Sequence, residues 1–161
     1  MQKLSWEQVE AAFDKLADQI KEAGFKPDYI IGITTGGLIP LYFLAKKLDI
    51  NNILTVSATS YEGQQQKTLR ITYLPEIDLR GKRVLLVDEI ADTGNSLKAV
   101  SDAVVSKYSV GELKTATLAV NKDRCKFYPD YHVLTEQGEW FVFPWEKEDF
   151  PEYFSPKQAG E

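Results

Sequence analysis

Three observations predict an α/β domain with a mostly parallel twisted sheet flanked by helices, and with a small hood built from the N- and C-terminal segments. Short apolar runs such as "YIIGI" and "VLLV" alternate along the chain with stretches of helical period. Two of these runs lead directly into glycine-containing turns and then helices, which is the first half of a βαβ unit. After residue 121 the chain becomes aromatic-rich and proline-punctuated, with no long helix.

In chain order, residues 5–24 read as a helix. Ser5 and Gln8 stand at capping-box spacing, Val9, Phe13, Leu16 and Ile20 form one apolar stripe, and Gly24 is the stop signal. A short buried strand comes next at 28–33, then the turn "TTGG" and a helix at 38–48. Residues 52–59 form another strand, and the polar segment "SYEGQQQK" at 60–67 has no apolar periodicity and reads as a mobile loop. A strand at 68–74, a turn at 75–82, the strand "RVLLVDE" at 83–89, a helix at 95–108 and a strand at 113–121 complete the alternation. Residues 122–154 read as a cap, and 155–161 as a frayed end.

A chain of 161 residues, 43% hydrophobic, is expected to be a single domain with a core over about 25–121 and the hood over about 122–154. Its formal charge of -5 argues against a non-specific nucleic-acid binder. The apolar runs are too short to span a bilayer and "MQKLSWEQVE" lacks a signal-peptide core, so no membrane association and a cytoplasmic location are expected. One cysteine, Cys125, excludes an internal disulfide, and one histidine, His132, leaves no Cys/His zinc cluster. Any metal is expected to be a hard cation held by carboxylates and ligand oxygens.

The stretch "VLLVDEIADTGNSL", residues 84–97, carries the chemistry. Asp88 and Glu89 stand at the carboxyl end of a strand, where their side chains can accept hydrogen bonds from vicinal hydroxyls. Asp92, Thr93, Gly94, Asn95 and Ser96 then open a helix, so their N–H groups and hydroxyls can converge on an anion. A ribose 5-phosphate satisfies both halves. The plainer alternative, in which Asp92 or Asn95 caps a helix and the acid pair is solvated, accounts for any one acid but poorly for the whole string. "GITTGG" matches neither the dinucleotide nor the P-loop spacing. It is either a tight strand-to-helix turn or a backbone cradle for an anion formed by Thr34, Thr35, Gly36 and Gly37.

"VLLVDEIADTGNSL" closely resembles the signature of type I phosphoribosyltransferases, which use 5-phosphoribosyl-1-pyrophosphate (PRPP). The resemblance extends to "GITTGGLIPLYFLAKKL" as the pyrophosphate loop and its helix, to "SYEG" from Ser60 and Tyr61 as the flexible loop, and to "EWFVFPWE" as the base-binding end of bacterial xanthine-guanine and hypoxanthine-guanine members. It implies that Asp88 and Glu89 hold the ribose hydroxyls, that Asp92 lies beside the purine N7 as general base, and that Asp92 to Ser96 bind the 5-phosphate. It implies Mg²⁺, bound mainly by PRPP oxygens and near Asp88, Glu89 and Glu146. Thr35 departs from the family's usual Arg or Lys, removing a fixed positive charge from the pyrophosphate loop. Lys67 or Arg70 is a candidate replacement.

For the base, the resemblance makes Trp140 the stacking residue and sets Glu146 near the 2-substituent, with Phe141 and Val142 backbone groups completing the edge. A 6-oxopurine needs a donor to O6, for which Lys122 and Lys126 compete. The resemblance thus implies transfer of phosphoribose from PRPP to hypoxanthine, guanine or xanthine. The alternatives are a regulator of this fold that binds nucleotides or RNA without turnover, or an enzyme for another base. The family forms homodimers or homotetramers, often through the helix after the pyrophosphate loop, where Leu41, Tyr42 and Leu44 face either a partner or the sheet. Cys125 and His132 receive no role.

Overall fold

The computed structural model describes residues 1–62 and 67–155. Helix α1, Trp6–Glu22, starts where the capping box predicts: the Gln8 N–H donates to the Ser5 hydroxyl at 3.1 Å and the Ser5 N–H to the Gln8 side chain at 2.8 Å. Its stripe, from Val9 and Phe13 to Leu16 and Ile20, is fully buried. Helix α2 is Leu38–Lys47 and helix α3 is Asn95–Tyr108.

The strands are β1 (Gln2–Lys3), β2 (Tyr29–Thr34), β3 (Ile53–Glu62), β4 (Lys67–Tyr73), β5 (Arg83–Ala91), β6 (Glu112–Asn121), β7 (Leu134–Glu136) and β8 (Phe141–Val142). Six of them form one sheet in the order β4-β3-β2-β5-β6-β7, every pairing parallel except β3 with β4. Strand β5 is central and apolar on both sides, as a parallel strand covered on two faces must be. Leu85 and Val87 join α1 and α2 in one core, while Val84 and Leu86 join Leu97, Val100 and Val104 of α3 in the other. The sheet class predicted from the alternation of strands and helices is therefore the observed one.

Two features differ from the sequence reading. The polar run at 60–67 is strand at both ends, because β3 continues through Glu62 and pairs antiparallel with β4 from Lys67. A two-stranded hairpin at a sheet edge satisfies its backbone without needing an apolar repeat, so composition concealed it. Residues 63–66 lie outside the described residues, as do 156–161 of the segment read as frayed. The second feature is β1, two residues that pair with β8 and, through Gln2 N to Trp140 O at 2.7 Å and Leu4 N to Val142 O at 2.9 Å, join the N- and C-terminal segments. On α2, Leu41 and Leu44 face the core and Tyr42 is exposed. Among the described residues no helix is long and apolar enough to cross a membrane.

Candidate active site

Parallel strands present their carboxyl ends on one edge of a sheet, so the segments leaving β5 and β6 meet there. Two clefts open at this edge. The larger, about 390 Å³, is walled by Asp88 to Leu97, by Arg124 after β6, and by Ser60 and Leu69 of the hairpin. The smaller, about 160 Å³, is aromatic, with Trp140, Phe141, Phe143 and Phe150 joined by Glu136 and Glu146. Ile90 and Asp92 line both clefts.

The acid pair floors the larger cleft. Asp88 accepts a hydrogen bond from the Glu89 N–H at 2.8 Å, and Glu89 accepts one from the Trp145 indole at 3.4 Å. Burial, reinforced by the neighbouring Glu89 charge, pushes Asp88 up from the usual carboxylate range to about 7. Burial, with the Glu146 charge second, raises Glu89 to about 6. Gly36 lies against this pair: a Cβ there would stand 2.5 Å from a Glu89 carboxylate oxygen and 3.1 Å from one of Asp88.

The loop into α3 turns through a left-handed glycine. Gly94 is the N-cap, in the left-handed region at φ 84°, and the Thr93 hydroxyl accepts from the Asn95 N–H at 3.2 Å. Neither Asp92 nor Asn95 acts as the cap. The first turn of α3 carries no acid, so none sits within the helix at its positive end. Behind the loop, the Lys126 N–H donates to the Thr93 carbonyl at 2.9 Å and the Phe127 backbone presses on Gly94. Asp92 forms an ion pair with Arg124 at 3.0 Å.

The remaining sequence-predicted residues are placed less uniformly. Thr34, Thr35, Gly36 and Gly37 line neither cleft. Thr34 shares a 2.9 Å hydrogen bond with Ser57, and the Gly37 N–H turns back to the Ile33 carbonyl at 2.7 Å. Ser60 reaches the larger cleft, while the Tyr61 backbone pairs with Thr68. Trp140, Phe141 and Glu146 come together in the smaller cleft, with Trp140 52% exposed and so open to a stacking partner. Lys122 and Lys126 are exposed and line neither cleft.

The three acids suggested near a cation do not assemble into one ligand set. Glu146 turns its carboxylate onto the Phe143 N–H at 2.8 Å, and among the described residues no group of three or more His, Cys, Asp or Glu is placed to hold a metal. Asp88 and Glu89 alone suit a divalent cation, since an adjacent positive charge would relieve the burial and repulsion that raise both acids.

Three residues of the site carry no assigned role in the sequence reading. Arg124 pairs with Asp92 across strands β5 and β6. Glu136, 5% exposed, lines the aromatic cleft while accepting from the Phe141 N–H at 2.8 Å and the Asn121 amide at 3.4 Å. Trp145 stacks on Phe143 with ring centroids 4.8 Å apart and holds Glu89. The available signal was positional: residues just beyond β6 face those just beyond β5 wherever the two strands run parallel.

Chemically, the arrangement sets a polar cleft and an aromatic cleft side by side, with Asp92 lining both. Residues 4–149 match the family model described as the Phosphoribosyl transferase domain. A xanthine-guanine phosphoribosyltransferase of Chromohalobacter salexigens is 32% identical over 143 residues, 89% of this chain and 82% of that protein. The crystal structure of a purine phosphoribosyltransferase from Pyrococcus horikoshii superposes with a TM-score of 0.80 at 35% identity, covering 99% of this chain and 98% of the other. The xanthine-guanine-hypoxanthine phosphoribosyltransferase of Helicobacter pylori gives 0.82 at 27% identity, covering 95% and 98%.

Proposed function

The chain belongs to the phosphoribosyl transferase family, and from that premise we propose that it is a purine-salvage enzyme transferring the 5-phosphoribosyl group of PRPP to a 6-oxopurine. The products are pyrophosphate and a nucleoside 5'-monophosphate. The observation that carries the reading is that Asp92 lines both a polar cleft, taken here for phosphoribose, and an aromatic cleft, taken here for the base.

In this reading the base stacks on Trp140 within the aromatic cleft, with Phe141 and Glu146 along its edge. The 5-phosphate sits on the Asp92–Ser96 loop, taking N–H groups of the first turn of α3 that have no partner within the helix. Asp88 and Glu89 take the ribose hydroxyls and lend negative charge to the C1 centre as it becomes cationic. Asp92 accepts the N7 proton of the purine, so that N9 attacks as the bond from C1 to pyrophosphate breaks. Asp88 and Glu89 would also hold Mg²⁺ together with PRPP oxygens, and the ion supplies neutralisation of the departing pyrophosphate. Thr34 to Gly37 remain the candidates for cradling pyrophosphate, supported by Gly36 lying against the acid pair.

The reading includes a cytoplasmic enzyme of one domain that assembles as a homodimer or homotetramer through α2, an arrangement supported by the exposed Leu38 and Tyr42 on that helix. Competition binding tests the site assignment. PRPP and a purine nucleoside 5'-monophosphate should exclude one another, because both place a 5-phosphate on the same loop, whereas simultaneous binding contradicts the assignment.

A further inference from the structure

We propose that Glu136 is a positioning residue that, through Asn121, holds the wall of the base cleft in place against the phosphoribose cleft; the inference rests on the assignment of the two clefts given above. Glu136 and Asn121 are each 5% exposed, and the reaction as assigned uses neither. Their side chains form one continuous link. The Asn121 oxygen accepts from the Asp123 N–H at 3.1 Å and the Arg124 N–H at 3.2 Å, which fixes the turn that brings Arg124 to the polar cleft. With its oxygen so occupied, Asn121 has its amide nitrogen left to donate, and this meets Glu136 Oε2 at 3.4 Å. Glu136 Oε1 in turn accepts from the Phe141 N–H at 2.8 Å, and Phe141 lines the aromatic cleft.

The two ends of this link differ in how firmly the backbone holds them. Asn121 and Glu136 are partners in the parallel register of β6 and β7, and the Lys122 N–H donates to the Glu136 carbonyl at 2.9 Å. Strand β8 lies outside the main sheet, a two-residue strand paired with two-residue β1. A pair that short has little hold of its own, so the Glu136 carboxylate supplies an anchor from the main sheet to the base wall. Burial raises the Glu136 carboxyl, while the Phe141 and Asn121 hydrogen bonds oppose that shift, one donor to each oxygen as an ionised carboxylate accepts them. The Gly138 N–H donates to Asp123 at 3.1 Å, tying the approach to Trp140 to the same turn.

The test reverses the central hydrogen bond. Glu136→Gln keeps an oxygen for the Phe141 N–H but sets two amide nitrogens face to face, and Asn121→Asp sets two carboxylates together. Both changes in one chain restore a donor and an acceptor at the original net charge. Calorimetry measures inosine 5'-monophosphate, which spans both clefts, and ribose 5-phosphate, which fills the polar cleft alone, with a melting curve for every variant. Each single change should lower affinity for the nucleotide relative to ribose 5-phosphate by roughly three- to tenfold. KM for hypoxanthine should rise by a similar factor with KM for PRPP in place, and the double change should restore both. An equal loss for the two ligands, an unchanged ratio, or a folded double variant without recovery overturns the assignment. Should the double variant not fold, Glu136→Gln alone decides, by whether the ratio falls. Because binding needs no turnover, it separates this from failure of the enzymatic reading. A wild type without turnover whose nucleotide preference follows this pattern upholds Glu136 and rejects the enzyme. A wild type that binds the nucleotide no more tightly than ribose 5-phosphate overturns the cleft assignment and Glu136 with it.

Discussion

Replacing Gly94 with alanine separates two kinds of constraint at the phosphate loop. Gly94 has φ 84°, a conformation that costs a residue with a Cβ about 1–2 kcal/mol. The added Cβ would also lie 2.4 Å from the Phe127 carbonyl oxygen and 2.9 Å from its backbone nitrogen, atoms that cannot rotate away. Pushing that segment aside is an overpacking cost of about 1–3 kcal/mol, and it strains the 2.9 Å bond from Lys126 N to Thr93 O. The sum is about 2–5 kcal/mol, which lowers Tm by roughly 5–15 °C in a chain of this size. Gly138→Ala is the control, since Gly138 has φ 76° but nothing within 4 Å of the added Cβ, so it incurs the conformational cost alone. Thermal and urea unfolding of both variants, with ribose 5-phosphate binding as a second readout, makes the comparison. Gly94→Ala should lose more stability than Gly138→Ala and should also lose phosphate affinity. Equal losses in the two variants would refute the claim that the 122–127 segment is packed on this loop.

Other outcomes rest on the acids and their partners. Asp92→Asn should depress turnover by roughly 10²- to 10⁴-fold, the usual contribution of a general base, with PRPP affinity retained; near-normal turnover removes the role assigned to Asp92. Asp88 and Glu89 keep their protons to about pH 7 and 6 in the folded chain but release them nearer 3.8 and 4.5 when unfolded. The folded state therefore binds more protons in this interval, so stability in chelator falls as pH rises from about 4 to about 7 and then levels. Asp88→Asn should flatten that slope, and melting curves from pH 4 to 8 decide it; a slope of opposite sign contradicts the burial of the pair. Trp145→Phe keeps an aromatic ring against Phe143 but removes the donor to Glu89, for a loss of about 0.5–1.5 kcal/mol in urea unfolding. No change would mean that the 3.4 Å contact carries nothing.

Much of the fold and site was legible because the relevant interactions are local. The capping box, the apolar stripe of α1 and the two-sided apolar run of β5 each depend on residues a few positions apart, and each is present in the structure. The Asp-Thr-Gly turn was legible for the same reason, though its cap is Gly94 and not an acid. The features that escaped depend on partners far along the chain. Two-residue β1 exists because β8 pairs with it, and the strand character of Ser60 to Glu62 because β4 returns alongside. Arg124 and Glu136 have no local pattern to mark them; each acquires meaning from a neighbour brought in by a parallel strand, Asp92 in one case and Asn121 in the other. Order in sequence favours Lys122 and Lys126, but order says nothing about which side of a turn a side chain leaves.

The most direct measurement is nucleotide formation by the purified protein with PRPP and Mg²⁺, offered hypoxanthine, guanine, xanthine, adenine and uracil separately, with Asp92→Asn alongside. The account predicts a nucleoside 5'-monophosphate from the 6-oxopurines and its loss in the mutant. No product from any base, in folded protein that still binds PRPP, would contradict it.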